Sequence, residues 1–391
     1  MSRAGTVDPA TPQFPPTTAA ARERVRSVDA RAHAQRRNFI EGSATGLSPY
    51  ITHGMIEVPD IFRALSTRTA LGAGDKLVQE FGWREFFHHV WRHRGDAILG
   101  DLGAPVSPVA YADRLPEDVR AASTGVPVID HAVRCLYATG YLHNHARMWL
   151  ASYLVHLRKV HWRAGADWMY GHLLDGDLAS NHLSWQWIAG TFSRKPYLFN
   201  ADNVARYAPP AWHSPGTVID DSYEALDRRA REQPDCGPES RRPAPVDVPP
   251  LFGAPSTEGD REIPAAGDRD LRLRHPWDLG FDRAQRGIDI GVLHAPFHDR
   301  FPWSALRWDW VLSALKPGCT AIWVGDLRSL RTGACRGLSA RETLNPGYAA
   351  ALAAVGAEPI PVPRLFSAPD RAFGSFSQFW RHARLSPDDP R

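Results

Sequence analysis

The sequence predicts a mainly α-helical domain followed by a small α/β module, and three observations carry that reading. Apolar residues recur at three- and four-residue steps through 75–94, 128–139 and 143–157, the period of a helix packed on one face. A proline-rich stretch from about Gln233 to Ala266 then interrupts the pattern. Beyond it, short strand-like runs alternate with helical ones, as in a parallel sheet with crossover helices. The expected division is a disordered N-terminus over 1–20, a helical domain over 21–232, a Pro-rich linker over 233–275 and an α/β module over 276–391.

Composition bounds the rest. With 391 residues, 43% of them hydrophobic and 23% charged, the chain is long enough for more than one domain and a sizeable core. A net charge of +3 permits an anionic partner through a local patch but does not demand one. Cys135, Cys236, Cys319 and Cys335 show no CxxC spacing, so a disulfide framework or a simple zinc or iron–sulfur site is not expected. No apolar run approaches the roughly 20 residues of a membrane span, and no signal-peptide pattern is present. The expected compartment is the cytoplasm, with no membrane partner.

Residues 1–20 are rich in Pro, Ala and Thr with little to bury. From Arg22 to Ile40 an Arg- and Ala-rich run predicts a helix with a basic face, which by itself reads as solvated. Ser48 before Pro49 is a helix start, the hydroxyl capping free N–H groups and proline filling the first turn. Thr45 and Ser48 beside glycines leave room for an anion there, although most caps bind nothing. In the helix over 75–94, Glu80, Trp83 and Arg84 share one face, either as the wall of a polar-aromatic pocket or as an ion pair beside a buried ring. His89 and His93 have the i,i+4 spacing of metal ligands, but no third ligand accompanies them and no metal is expected.

Further along, a helix over 128–139 stops at Gly140, and a second begins near His143 and is largely buried from Met148 to Leu157. A third, over 167–174, runs into Asp175-Gly-Asp177, with Asn181 one turn on. Two carboxylates and an amide at a buried turn suit a ligand rich in N–H and hydroxyl donors; a self-capped Asp-Gly turn fits equally well. After the linker come strand-like 289–295, helical 304–315, strand-like 319–326, helical 346–356 and strand-like 358–363.

Six segments in order, GLSPYITHG (46–54), EFGWREFF (80–87), TGVPVIDHAVRCLYATGYLHNHARM (124–148), VHWRAGADW (160–168), DGDLASNHLSWQW (175–187) and KPYLFN (195–200), resemble the FAD-binding helical domain of the DNA photolyase and cryptochrome family. The resemblance spans about residues 35 to 208, somewhat less than half the chain.

That resemblance implies FAD held in a U shape inside an all-helical domain. Carried over by position, Thr45, Leu47 and Ser48 contact the flavin phosphates with Arg84 near them. Arg147 and Asp175 hold the isoalloxazine, Asp177 accepts from the flavin ring or ribose, and Asn181 faces flavin N5. A neutral amide at that last position cannot act as a proton donor as an acid would, which favours the fully reduced cofactor used in repair. For a flipped-out cyclobutane pyrimidine dimer in DNA, Glu80 is the hydrogen-bonding acid, Trp83 and Trp187 the stacking rings, and Asn144 and Met148 the pocket wall. Trp185 and Trp162 match the inner members of an electron path to the flavin, and Tyr111 stands in for the outer one.

The implied function is light-dependent splitting of pyrimidine dimers by a photolyase-type lyase. The alternative is a cryptochrome-like flavin photoreceptor, or a flavoprotein without repair activity. Departures from the family pattern bear on the choice: Ala44 in a hydroxyl position, Tyr141 for a tryptophan, and Leu183 and Ser184 for glycines. Asn144 argues against the (6-4) lesion, whose repair uses a histidine, although His143 and His145 flank it. Family members begin with a Rossmann-like antenna domain, whereas here helical sequence begins almost at once. The C-terminal module is therefore expected to be either a relocated antenna-like unit or a unit that stabilises, dimerises or docks a protein partner.

Overall fold

The computed structural model describes residues 14–193, 195–256, 263, 265–281 and 287–386. Twelve α-helices come first: α1 Thr18–Ser27, α2 Ala30–Arg36, α3 Ser48–Thr52, α4 Val58–Ser66, α5 Lys76–Arg94, α6 Glu117–Arg120, α7 Pro127–Thr139, α8 Asn144–Ser152, α9 Trp162–His172, α10 Leu178–Ala189, α11 Ala201–Tyr207 and α12 Tyr223–Glu232. Strands and helices then alternate: β1 Leu251–Phe252, β2 Leu271–Arg274, β3 Ile288–His294, α13 Ala295–Arg300, β4 Trp303–Ser304, α14 Ala305–Leu315, β5 Ala321–Gly325, β6 Leu338–Arg341, α15 Tyr348–Ala354, β7 Glu358–Ile360, β8 Phe366–Ser367, α16 Phe376–His382 and β9 Arg384–Leu385. The molecule is mainly α with a small parallel sheet, the class expected.

Local chemistry explains the boundaries that differ from expectation. One helix over 22–40 is expected, but Asp29 accepts from the Arg31 and Ala32 amides at 2.9 Å and starts a new helix, splitting the run into α1 and α2. Disorder over 1–20 fails at its described end. Thr17 caps α1, and Phe14 is buried against Tyr50 and Tyr141. Residues 1–13 lie outside the described residues. The helix expected over 167–174 starts five residues earlier, at Trp162. α7 ends where expected, with Gly140 at φ 64°, a left-handed cap that favours glycine. Beyond Ser152, α8 widens into one π-helical turn over Tyr153–Leu157.

α7, α8, α9 and α10 enclose an apolar core around Trp149, Tyr153, Trp162 and Trp185. A second core is shared between the two parts of the chain. It holds Phe86, Phe87 and Trp91 of α5 together with Leu273, Ile290 and Val292 of the sheet and Trp303 and Trp308 beyond it. The α/β part is thus fused to the helical part through common apolar burial.

The five-stranded sheet has the order β5-β3-β2-β6-β7 with every pairing parallel. In chain order this is third, second, first, fourth, fifth, a doubly wound arrangement with its switch point between β2 and β6. β2 and β6 were not expected from the sequence, and β2 lies inside the span read as linker. That span is also no loose tether. Cys236, Glu239 and Val246 donate backbone N–H groups to Leu157, Thr124 and Ala121 at 3.0, 2.8 and 2.8 Å, which laces it to the helical surface.

The C-terminal segment returns to α5. Glu85 accepts from the Leu365 and Phe366 amides at 2.5 and 3.1 Å, and Trp380 packs where a side chain at Gly82 would stand. His89, one of the two histidines with metal spacing, donates to the Arg371 carbonyl at 2.8 Å, so it serves this contact. Among the described residues no helix is long and apolar enough to cross a membrane.

Candidate functional site

The loop between α9 and α10 carries Asp175, Gly176 and Asp177, and it lies buried where α3, α5, α8 and α14 meet. Asp175 Oδ2 accepts from the Arg147 guanidinium at 2.8 Å and from the Ser48 hydroxyl at 2.6 Å. Burial opposes the charge on Arg147, but Asp175 outweighs it and raises the Arg147 pKa. Asp177 caps α10 through the Ser180 amide at 2.7 Å and accepts from His88 at 3.0 Å, with Arg84 at 3.8 Å. Burial works against this carboxylate, yet His88, Arg84 and the hydrogen bonds outweigh it and hold Asp177 ionised, well below the usual carboxylate range. Thr52 joins the two aspartates: its hydroxyl donates to the Asp175 carbonyl at 3.4 Å and lies 3.4 Å from Arg84.

Of the residues expected to hold a flavin, Ser48, Arg84, Arg147, Asp175 and Asp177 therefore form one connected network. Asn181 is one turn along α10, its amide N–H donating to the Ala166 carbonyl at 2.8 Å, which leaves its oxygen to face elsewhere. Leu47 is buried, and its amide reaches Thr45 Oγ1 only at 3.5 Å. Ser48 differs from the reading of its sequence. It does not cap α3, because its hydroxyl donates to the buried Asp175 carboxylate instead.

The residues matched to the lesion pocket are less concentrated. Glu80 is held by His33 at 3.1 Å and Arg37 at 3.0 Å, both from the α2 region, with 41% of its side chain exposed. Burial opposes charge on His33, but the hydrogen bond and charge of Glu80 outweigh it and raise its pKa. Trp83 is covered: Phe376 of α16 stacks on it at 4.0 Å and 10° between planes. Asn144 is exposed, its amide 3.4 Å from Met148 Sδ, and Trp187 packs against Tyr197 at 5.9 Å between centroids.

On the proposed electron path, Trp162 and Trp185 are both buried in the helical core. Trp162 donates to Asp101 at 2.5 Å and meets the His182 ring edge-on at 6.2 Å, while Trp185 packs on α9 at Gly165. Tyr111 is half-buried against the same core, next to the bridge between Ala112 and Val160.

Sequence reasoning missed Thr52, His88, His33, Arg37, Arg307 and Phe376 as neighbours of these residues. His88 stands one turn beyond Arg84 on α5, a spacing that carries a legible signal. Arg307 and Phe376 come from the far end of the chain and carry none.

Comparison with known proteins bears on this arrangement. Residues 77–211 match a family model described as the FAD binding domain of DNA photolyase. A deoxyribodipyrimidine photo-lyase from Streptomyces griseus is 31% identical over 218 residues, 50% of this chain and 46% of that protein. One from Synechococcus sp. is 34% identical over 183 residues, 44% of this chain and 38% of that protein. A crystal structure of a class III photolyase from Agrobacterium tumefaciens aligns with a TM-score of 0.45 at 24% identity, covering 55% of this chain and 54% of that one. The chain thus spans half or less of the length of these two curated relatives.

FAD is the cofactor of this domain type, and the residues present suit it. Among the described residues Asp175 Oδ1 is buried without a hydrogen-bond partner, an acceptor suited to a ring N–H, beside the Asp177 carboxylate and the Asn181 amide.

Proposed function

We propose that this chain, whose helical region belongs to the photolyase/cryptochrome family, splits cyclobutane pyrimidine dimers in DNA in a light-dependent reaction. Bound and reduced, FAD supplies an electron to the dimer on illumination and takes it back, with no net redox change. The observation that carries the reading is the network in which Ser48 and Arg147 hold Asp175 while Arg84 and His88 hold Asp177.

In this reading the chain's own groups divide the work. Asp175 and Asp177 accept from donors on the cofactor; the ion pairs orient both carboxylates, and His88 and Arg84 keep Asp177 ionised. Asn181 presents a neutral oxygen from the first turn of α10, so no acid stands at that position. Glu80, fixed by His33 and Arg37, accepts a hydrogen bond from the extruded base. Trp83 and Trp187 offer ring faces, and stacking at about 1–3 kcal/mol per base offsets the few kcal/mol of extrusion.

One observation favours a second reading, a flavoprotein or photoreceptor that does not repair: Phe376 already occupies a face of Trp83. The two separate in one assay. Reduced, FAD-loaded protein is illuminated with a thymine-dimer oligonucleotide and the restored monomers are counted. Restoration is expected; its absence from protein that holds reduced FAD sinks the repair reading and leaves the second.

A further inference from the structure

The sheet offers one place where doubly wound folds bind ligands, the crevice outside the carboxyl ends of β2 and β6. Here the helical part fills it. The His53 ring nitrogens lie 2.5 Å from the Pro276 carbonyl, just past β2, and 2.8 Å from the Leu174 carbonyl. The Leu279 amide donates to the His53 carbonyl at 2.8 Å, and Gly280 packs directly on Gly54. On β6, Arg341 forms a two-pronged pair with Glu57 at 2.6 and 2.9 Å. A sheet whose switch point is closed by the chain's own loop is built to grip that loop.

A second contact aims at the same turn. Arg307 of α14 is fully buried and donates to the Tyr170 carbonyl at 2.5 Å and to the Gly176 carbonyl at 2.7 Å. Its guanidinium lies over the Trp303 ring at 3.9 Å and the Tyr170 ring at 4.5 Å, and it packs so closely on Gly176 that a side chain there would collide with it. Gly176 is the residue between the two aspartates. Both terminal nitrogens of the guanidinium donate, one to each carbonyl, while Nε has no hydrogen-bond partner among the described residues, so the two-pronged fork holds the turn through Nη1 and Nη2.

We infer that the α/β part is the positioning half of the cofactor site, with Arg307 as a positioning residue that holds the Leu174–Asp177 turn so that Asp175 and Asp177 meet the flavin ring. The inference rests on the flavin reading above and adds a residue outside the matched region. Its positive charge beside two carboxylates also makes the site less negative, which favours electron uptake by the bound ring.

The test uses the full chain reconstituted with FAD, comparing wild type, Arg307→Met, Arg307→Lys and a control, Arg336→Ala, an exposed residue paired with exposed Asp270. Flavin affinity, midpoint potential and melting temperature are measured on each. Arg307→Met is expected to bind FAD about tenfold more weakly, the scale of one lost charged hydrogen-bonding group, and to shift the potential to more negative values. Arg307→Lys, which keeps the charge but loses the fork, should fall between wild type and Arg307→Met, and Arg336→Ala should match wild type. Wild-type affinity and potential in Arg307→Met would overturn the inference. If that variant does not fold, unchanged affinity and potential in Arg307→Lys overturn it instead. A wild-type chain that takes up no flavin overturns the site reading itself.

Discussion

Asp175 and Asp177 are buried and tied in, with the partly buried Arg147, Ser48, His88 and Arg84 converging on them from three helices. Glu80, Trp83, Asn144 and Trp187 are not. Glu80 is two-fifths exposed, Asn144 faces solvent, and Trp83 touches a ring from the C-terminal segment. The cofactor half behaves like a core that happens to be polar. The half assigned to DNA is a surface on which one element, α16, is laid. Buried pairs tolerate little change because removing one partner strands a charge, whereas exposed pairs contribute little to stability.

The sharpest way to break this contrast is Asp175→Ala. Arg147, a quarter exposed, would lose its carboxylate, at a cost below the roughly 3–5 kcal/mol of breaking a fully buried pair, and flavin retention should be lost. A melt and a flavin absorbance reading suffice; unchanged values for both would erase the distinction between the halves.

Next in size is the fastening of the C-terminal cover. Burial pushes the Glu85 carboxyl from 4.5 up to about 7, against the lowering effect of the Leu365 and Phe366 amides. The folded state then keeps a proton the unfolded chain has shed, so this group's contribution falls as pH rises from 4.5 to about 7 and levels off above. Glu85→Gln mimics the protonated form, and wild type should lose ground to it by about 3 kcal/mol across that window. A stability difference between the two proteins that stays constant as pH rises from 4.5 to about 7 contradicts the assignment.

Glu80→Ala probes the open half alone. Flavin content and stability should hold, while dimer splitting slows by about tenfold for one lost hydrogen bond to a developing charge. Equal loss of flavin and activity would place Glu80 in the cofactor half. The smallest effect expected is from Phe376→Ala, where removal of an aromatic pair worth about 1 kcal/mol frees the Trp83 face. Binding of a dimer-containing oligonucleotide should tighten a few-fold, as read by fluorescence anisotropy, with flavin affinity unchanged. Weaker binding would mean that Phe376 supports the pocket rather than covering it.

What was legible in the sequence follows the same divide. α5, α7 and α8 could be read because apolar residues recur through them at three- and four-residue steps. The strands β3, β5 and β7 could be read from short β-rich runs. β2 could not, because it alternates leucine with arginine, and the buried Arg274 is matched by Asp278 and Asp289 at 3.1 and 2.6 Å, partners its local sequence does not announce. Local sequence gives Arg307 as one of two charges, with Asp309, on a mostly apolar helix; its meaning lies in carbonyls 137 and 131 residues away. Phe14 read as part of a featureless leader, yet it packs on Tyr141 at 4.9 Å. Gly82, in the middle of α5, was a missed signal, since a glycine inside a long helix marks a close approach, here by Trp380.

The central claim is that the Asp175–Asp177 turn is a working flavin site. Its most direct test is to reconstitute the purified full chain with FAD, remove free cofactor by gel filtration, and read the flavin absorbance that travels with the protein. A stoichiometric flavin peak in wild type that is absent in Asp175→Ala is the result expected. Colourless wild-type protein, or a peak that Asp175→Ala retains in full, would contradict the account.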